Sequence, residues 1–155
     1  LAQASDLLMA DLDGLLAGRA VDVPIYDFAS HTRTGRTRRV EPRPVVVVDG
    51  ILVLAVPELR RRLDLAVFVD APAEIRLARR MDRDVRERGR TAAMVQSQFE
   101  ATVAPMHEAF VEPSAIHADL HVDGTGDMVA NLDTLMDAVE HLHSSYLHSS
   151  YLHSS

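Results

Sequence analysis

Residues 65–90 read LAVFVDAPAEIRLARRMDRDVRERGR: an apolar run closed by an acid, then, after Pro72, seven arginines between Arg76 and Arg90. Five successive apolar residues, Leu65 to Val69, mark a strand buried on both faces. Residues 73–86 are predicted to be helical. On that helix Arg76, Arg79, Arg80, Arg83, Arg86 and Arg90 fall within an arc of about 120°, with Leu77, Met81 and Val85 on the other side. Arg76/Arg80 and Arg79/Arg83 are like-charge pairs at i, i+4, which cost stability unless an anion arrives. Asp82/Arg86 and Asp84/Arg88 offset part of that cost. Two readings stay open here: a salt-bridged surface, or a face that meets phosphate through planar guanidinium forks. Gly89, between Arg88 and Arg90, lets the segment bend as a closing lid must.

Outward from this stretch the pattern stays α/β. Upstream, residues 45–48 are four consecutive valines, a second strand with both faces buried, and Pro57 opens a short helix over residues 57–63. Leucines at 7, 8, 12, 15 and 16 predict an opening helix capped by Ser5 or Asp6 and stopped by Gly18. Val21, Val23 and Ile25 alternate with other residues, and Thr34-Gly35 supplies a turn before Arg38-Arg39-Val40, which predicts a hairpin. Downstream, residues 92–110 and 128–141 are predicted helices and residues 118–122 a third core strand. From Leu142 the chain becomes LHSSY-LHSSY-LHSS, a low-complexity tail expected to be disordered.

Composition bounds the function. The 155 residues are 47% hydrophobic and 25% charged, which is one globular domain with a sizeable core. Cysteine is absent, so disulfides and thiol chemistry are excluded. No apolar run is long enough for a membrane span and no leader pattern opens the chain, so the expectation is a soluble, cytoplasmic protein with no membrane partner. All 16 basic residues are Arg and all lie before residue 91, where they leave a net +2; residues 91–155 carry −9. That asymmetry points to a local anionic ligand. An acidic total of −7 and 5% aromatics argue against nucleic acid.

Beyond the arginines, few residues suggest chemistry. Asp49 follows the valine run and precedes Gly50, where an open α/β sheet places ligand-binding groups; a turn former is the plainer reading. Asp70 ends the next strand in the same way. Tyr26, Phe28 and His31 offer two aromatic faces and an imidazole to a planar heterocycle, although each is also compatible with ordinary packing. Neither G-x-S-x-G nor H-E-x-x-H occurs.

Taken together, PIYDFASHTR, VVVVDGIL, residues 65–90, QSQF and VAPMHEAFVEPSAIHADLHV resemble the uridine kinase (uridine-cytidine kinase) family of P-loop nucleoside kinases and phosphoribulokinases, in family order from about residue 5 to residue 140. The resemblance implies an α/β fold: a P-loop kinase-like parallel sheet with flanking helices, incomplete at the N-terminus, plus a β-hairpin substrate flap. It also implies magnesium-dependent transfer of phosphate from ATP or GTP to the 5′-hydroxyl of a pyrimidine nucleoside. By this resemblance Tyr26, Phe28 and His31 form the pyrimidine pocket, and Arg80, Arg90 and Gln98 contact substrate. Arg83 and Arg88 face the phosphates, Asp127 lies beside the donor nucleotide, and Asp49 stands where the family commonly has a metal-associated Glu.

Residues 1–141 then correspond to the acceptor-site and lid portion and residues 142–155 to the tail, with a homotetramer implied by the family. The family's opening strand, its G-x-x-x-x-G-K-[ST] loop and the acid serving as catalytic base are not found in these residues, and there is no Lys. The expectation is therefore a chain cut short and inactive alone. The alternative is a non-catalytic nucleoside-binding module or a partner subunit of a complete kinase, and phosphoribulokinase is a further alternative of the same class.

Overall fold

A computed structural model describes residues 2–27 and 32–152. Helix α1 (Ala2–Leu16) leads into strands β1 (Val21–Asp27) and β2 (Thr32–Val40), then the single turn α2 (Pro57–Arg60), strand β3 (Val67–Asp70) and helix α3 (Ala73–Arg88). Helices α4 (Ala92–Gln98) and α5 (Ala104–Met106) belong to a helical stretch that reaches His117, followed by β4 (Leu120–Asp123) and α6 (Met128–Leu152).

Strands β3 and β4 pair in parallel with Val67 opposite Leu120 and Asp70 opposite Asp123, and the chain between them is helical, as a parallel crossover requires. The junction before this pair is locked twice. Asp119 and Leu120 N–H both donate to Ala66 O, and Ala66 N–H donates to Asp119 Oδ2 at 2.8 Å. The expected α/β architecture is present, with an antiparallel β1–β2 hairpin beside it. The buried apolar residues include Leu12, Leu54, Leu59, Val95, Phe99 and Val122.

Several local expectations are corrected. Residues 45–48 form no strand: among the described residues nothing pairs with them, and Val47 is 85% exposed. β-Branched residues favour a pleated, packed surface and do not hold a strand without a neighbour. Thr34-Gly35 is no hairpin tip but lies inside β2, where the ladder slips between Pro24 and Tyr26 and Gly35 takes φ 73°. Pro24 cannot donate to the ladder, which suits the irregularity. Helix α1 begins at Ala2, ahead of the expected caps Ser5 and Asp6, and ends as expected near Gly18, at φ 74°.

Residues 92–110 are helical but not one α-helix. The ladder widens to π-type turns over Phe99–Val103 and His107–Val111, on either side of Pro105, which has no N–H to give. Helix α6 runs through the repeat as far as Leu152, where a disordered tail is expected from sequence. The repeat holds no Gly or Pro to stop it, and Ser145 Oγ donates to His141 O.

Candidate functional site: arginines gathered on a buried carboxylate

Asp84 is the centre of the site. Its side chain is 0% exposed, although it lies on the most arginine-rich helix of the chain. Arg83 Nε donates to Asp84 Oδ1 at 3.0 Å and Arg88 Nη1 lies 3.1 Å from the same oxygen. Arg90 Nη1 lies 3.4 Å from Oδ2 and Arg80 Nε 3.7 Å from it. Helical geometry explains two of these contacts, since Arg80, Asp84 and Arg88 are spaced i−4, i, i+4; Arg83, the residue before Asp84, reaches it through its Nε. The fourth depends on Gly89. At φ 61° it closes α3 with a left-handed turn, and Arg90 N–H then donates to Asp84 O at 3.2 Å. Arg90 is therefore not on the helical arc where the sequence pattern puts it; the C-terminal turn folds it back.

Helix α4 brings the fifth member. Thr91 caps its start by accepting from Met94 N–H, and fully buried Val95 with Phe99 anchors the segment in the core. Gln98 is thereby held against α3. Its Oε1 accepts from Arg80 Nη2 at 2.9 Å and from Arg90 Nη1 at 3.1 Å. Arg80, Arg90 and Gln98, expected near substrate, thus meet Arg83 and Arg88, expected near phosphate, around one carboxylate.

Burial raises the Asp84 pKa, but the Arg83 hydrogen bond and the charges of Arg83, Arg88 and Arg80 outweigh it, so the carboxyl sits below its ordinary value and stays ionised. Four guanidiniums converge on one buried negative charge, so cations outnumber it at this point of the structure. Their side chains keep between 22% and 44% exposure, so the surplus can meet a ligand.

The remaining arginines of α3 turn elsewhere, to local carbonyls and acids, as the salt-bridged reading has it for part of this face. Arg76 Nε donates to Ala71 O and Arg79 Nη2 to Gly124 O, just beyond the ends of β3 and β4. Arg86 pairs with Asp82 and Glu87. Nearby carbonyls and acids satisfy these side chains locally.

Asp127 acts as a helix cap: its Oδ1 accepts from Ala130 N–H at 2.8 Å. The loop before it grips the end of β3, where a Cβ on Gly124 would stand 2.7 Å from Asp70 O. Asp49 is exposed and ends no strand, because the valine run before it is unpaired. No group of three or more metal-ligating side chains exists among the described residues. Tyr26 lies on β1 opposite Arg33, while Phe28 and His31 fall outside the described residues.

Two features escape the sequence reading. One is the role of Asp84 as a hub, legible in principle from the Arg80-Asp84-Arg88 spacing with Arg83 adjacent. The other is a cavity of about 440 Å³ lined by Phe68, Asp70, Arg76, His107, Glu112 and His121, among others. His107 Nδ1 is buried there without a hydrogen-bond partner. Burial and then the Arg76 charge lower the His107 pKa, against the pull of Glu112, Asp70 and Glu108. Only the tertiary fold joins these residues.

A parallel strand pair with flanking helices and an arginine-rich helix after its first strand make an α/β protein consistent with a P-loop kinase-like fragment. The family model described as Phosphoribulokinase / Uridine kinase family matches residues 1–130. The chain is similar to the uridine kinase of Chloroflexus aggregans, 47% identical over 136 residues that cover 88% of this chain and 65% of that protein. The uridine kinase of Streptococcus equi subsp. zooepidemicus is 45% identical over 131 residues, 84% of this chain and 63% of the relative. That of Shewanella pealeana is 43% identical over 137 residues, 88% and 65% respectively. The chain belongs to the phosphoribulokinase / uridine kinase family. It spans about 65% of the length of the curated relatives it matches.

Proposed function

We propose that these residues form the acceptor-site and lid portion of a uridine kinase, an enzyme that moves the terminal phosphate of ATP or GTP to the 5′-hydroxyl of uridine or cytidine in pyrimidine salvage. The observation that carries this reading is the gathering of Arg80, Arg83, Arg88 and Arg90 on Asp84, with Gln98 bonded to Arg80 and Arg90. A fixed array with surplus positive charge offsets the negative charge on a moving phosphoryl group. The relatives' names support the nucleoside as acceptor.

In this reading Arg83 and Arg88 face the phosphates, while Arg80, Arg90 and Gln98 hold the acceptor. Tyr26, Phe28 and His31 enclose the pyrimidine, and Asp127 sits beside the donor. Magnesium fits the donor set in a limited sense. It keeps several waters and takes one or two carboxylates alongside substrate phosphates, so exposed Asp49 suffices as the protein's contribution. When bound, the ion neutralises charge between the donor phosphates. Residues 1–155 include neither Lys nor a glycine-rich phosphate loop, so donor cradling and proton removal from the acceptor are not assigned to them. The setting proposed is cytoplasmic and homotetrameric, with nucleoside and nucleoside triphosphate as partners; no helix among the described residues is long and apolar enough to cross a membrane.

Calorimetric titration of residues 1–155 with uridine and with cytidine tests the reading, alongside uridine-dependent ADP release with magnesium and ATP. Saturable nucleoside binding without turnover is expected. No binding of either nucleoside contradicts the reading, and sustained turnover contradicts the assignment of the missing steps to other residues. Binding by a complete gene product that still does not turn over supports the second reading, a non-catalytic module or partner subunit.

A further inference from the structure

We propose that Asp84 is the positioning residue of this site: a carboxylate that touches no ligand but fixes Arg80, Arg83, Arg88 and Arg90 in one arrangement before a polyphosphate arrives. This rests on the phosphate-facing reading above.

Three observations support it. Asp84 is wholly buried, so its oxygens are covered by the arginines rather than presented to a ligand. The four arginines come from three different local settings: the body of α3, its last turn, and the residue beyond Gly89. The Asp84 carboxylate is a meeting point for all of them. Finally, Arg80 Nε is buried with no hydrogen-bond partner, 3.7 Å from Asp84 Oδ2. A buried donor without a bond is costly, and the ion pair with Asp84 at this distance offsets part of that cost and holds Arg80 in place. Arginine side chains lose rotamer freedom when they bind, and a carboxylate that has already ordered them removes much of that loss from the binding step.

The proposal reverses the sign that simple electrostatics gives. Asp84→Asn removes a negative charge from beside the site, so charge alone makes an anion bind tighter. Loss of positioning makes it bind more weakly. The probe is inorganic tripolyphosphate, titrated calorimetrically into the full chain at fixed salt, with wild type, Asp84→Asn and Asp84→Glu compared. We expect Asp84→Asn to bind roughly tenfold more weakly, the consequence of ordering freed arginines again, and Asp84→Glu to recover part of the loss.

Equal or tighter binding by folded Asp84→Asn overturns the positioning role and leaves the phosphate reading standing. Absence of tripolyphosphate binding by the wild type overturns both. If Asp84→Asn does not fold, the wild type still decides. Arginine Nε–H resonances of Arg80 and Arg83 should show restricted motion in the ligand-free chain, and free averaging there overturns the proposal.

Discussion

Arg80 Nη2 donates to Gln98 Oε1 at 2.9 Å across 18 residues of chain, tying the middle of α3 to the end of α4. Arg90 Nη1 reaches the same oxygen, so the amide oxygen is occupied from both sides and the orientation of the Gln98 amide is set. With its oxygen taken, the amide is left to donate through its nitrogen, because O and N offer opposite hydrogen-bond roles.

Gln98→Ala removes an acceptor shared by two guanidiniums. Hydrogen bonds to charged groups are worth about 1.5–3 kcal/mol when shielded, and these partners are partly exposed, so the low end applies. Uridine affinity by calorimetry should fall on the order of tenfold, while the far-ultraviolet dichroism stays unchanged.

Gly89→Ala isolates a backbone effect. No atom lies within 4 Å of the Cβ it would add, so the cost is that of holding a non-glycine residue at φ 61°. About 1 kcal/mol is expected, a lowering of the melting temperature by about 2–4 °C. Tripolyphosphate binding should weaken as well, because the turn that returns Arg90 to Asp84 is strained.

Phe99→Ala should cost about 3–5 kcal/mol in urea denaturation, since the ring is buried where the helical stretch leaves α4. A loss under 1 kcal/mol would mean that this stretch is not anchored as described.

His107 gives the molecule a pH dependence. Its folded pKa lies below the usual 6.5, so the unfolded chain takes up its proton first as pH falls. Its contribution is present above about 6.5 and is lost downward through the folded pKa. Between pH 7.5 and 5.5 the wild type should lose stability in urea titrations relative to His107→Gln. A parallel course for the two proteins would contradict the burial of a neutral imidazole. Asp84 acts in a lower window: its folded pKa is below the ordinary 3.8, so its stabilisation holds above that value and disappears as pH falls through the folded one.

The sequence is informative where local rules govern and silent where neighbours do. α3, β3 and β4 follow from periodicity and from the apolar runs, although the helix runs on to Arg88 and β3 finds its partner β4 only across the fold. The valine run at residues 45–48 misleads: strand propensity is a preference for a packed surface, and no described strand supplies one. Thr34-Gly35 misleads because a left-handed glycine serves a bulge within a strand as well as a turn. At the site, the arginines are conspicuous by number, whereas Asp84 reads as a routine i, i+4 partner until the fold shows its burial. Gln98 joins only because Val95 and Phe99 dock its helix.

The central claim is that the Asp84-held arginines and Gln98 surround the phosphoryl group as it passes to a pyrimidine nucleoside, whose product is the nucleoside 5′-monophosphate. It is tested most directly by titrating uridine 5′-monophosphate into the full chain while following arginine Nε–H and glutamine side-chain resonances. Saturable shifts at Arg80, Arg83, Arg88, Arg90 and Gln98, with Arg39 and Arg61 unmoved, are the predicted result. Shifts confined to arginines outside this cluster, or none that saturate, would contradict it.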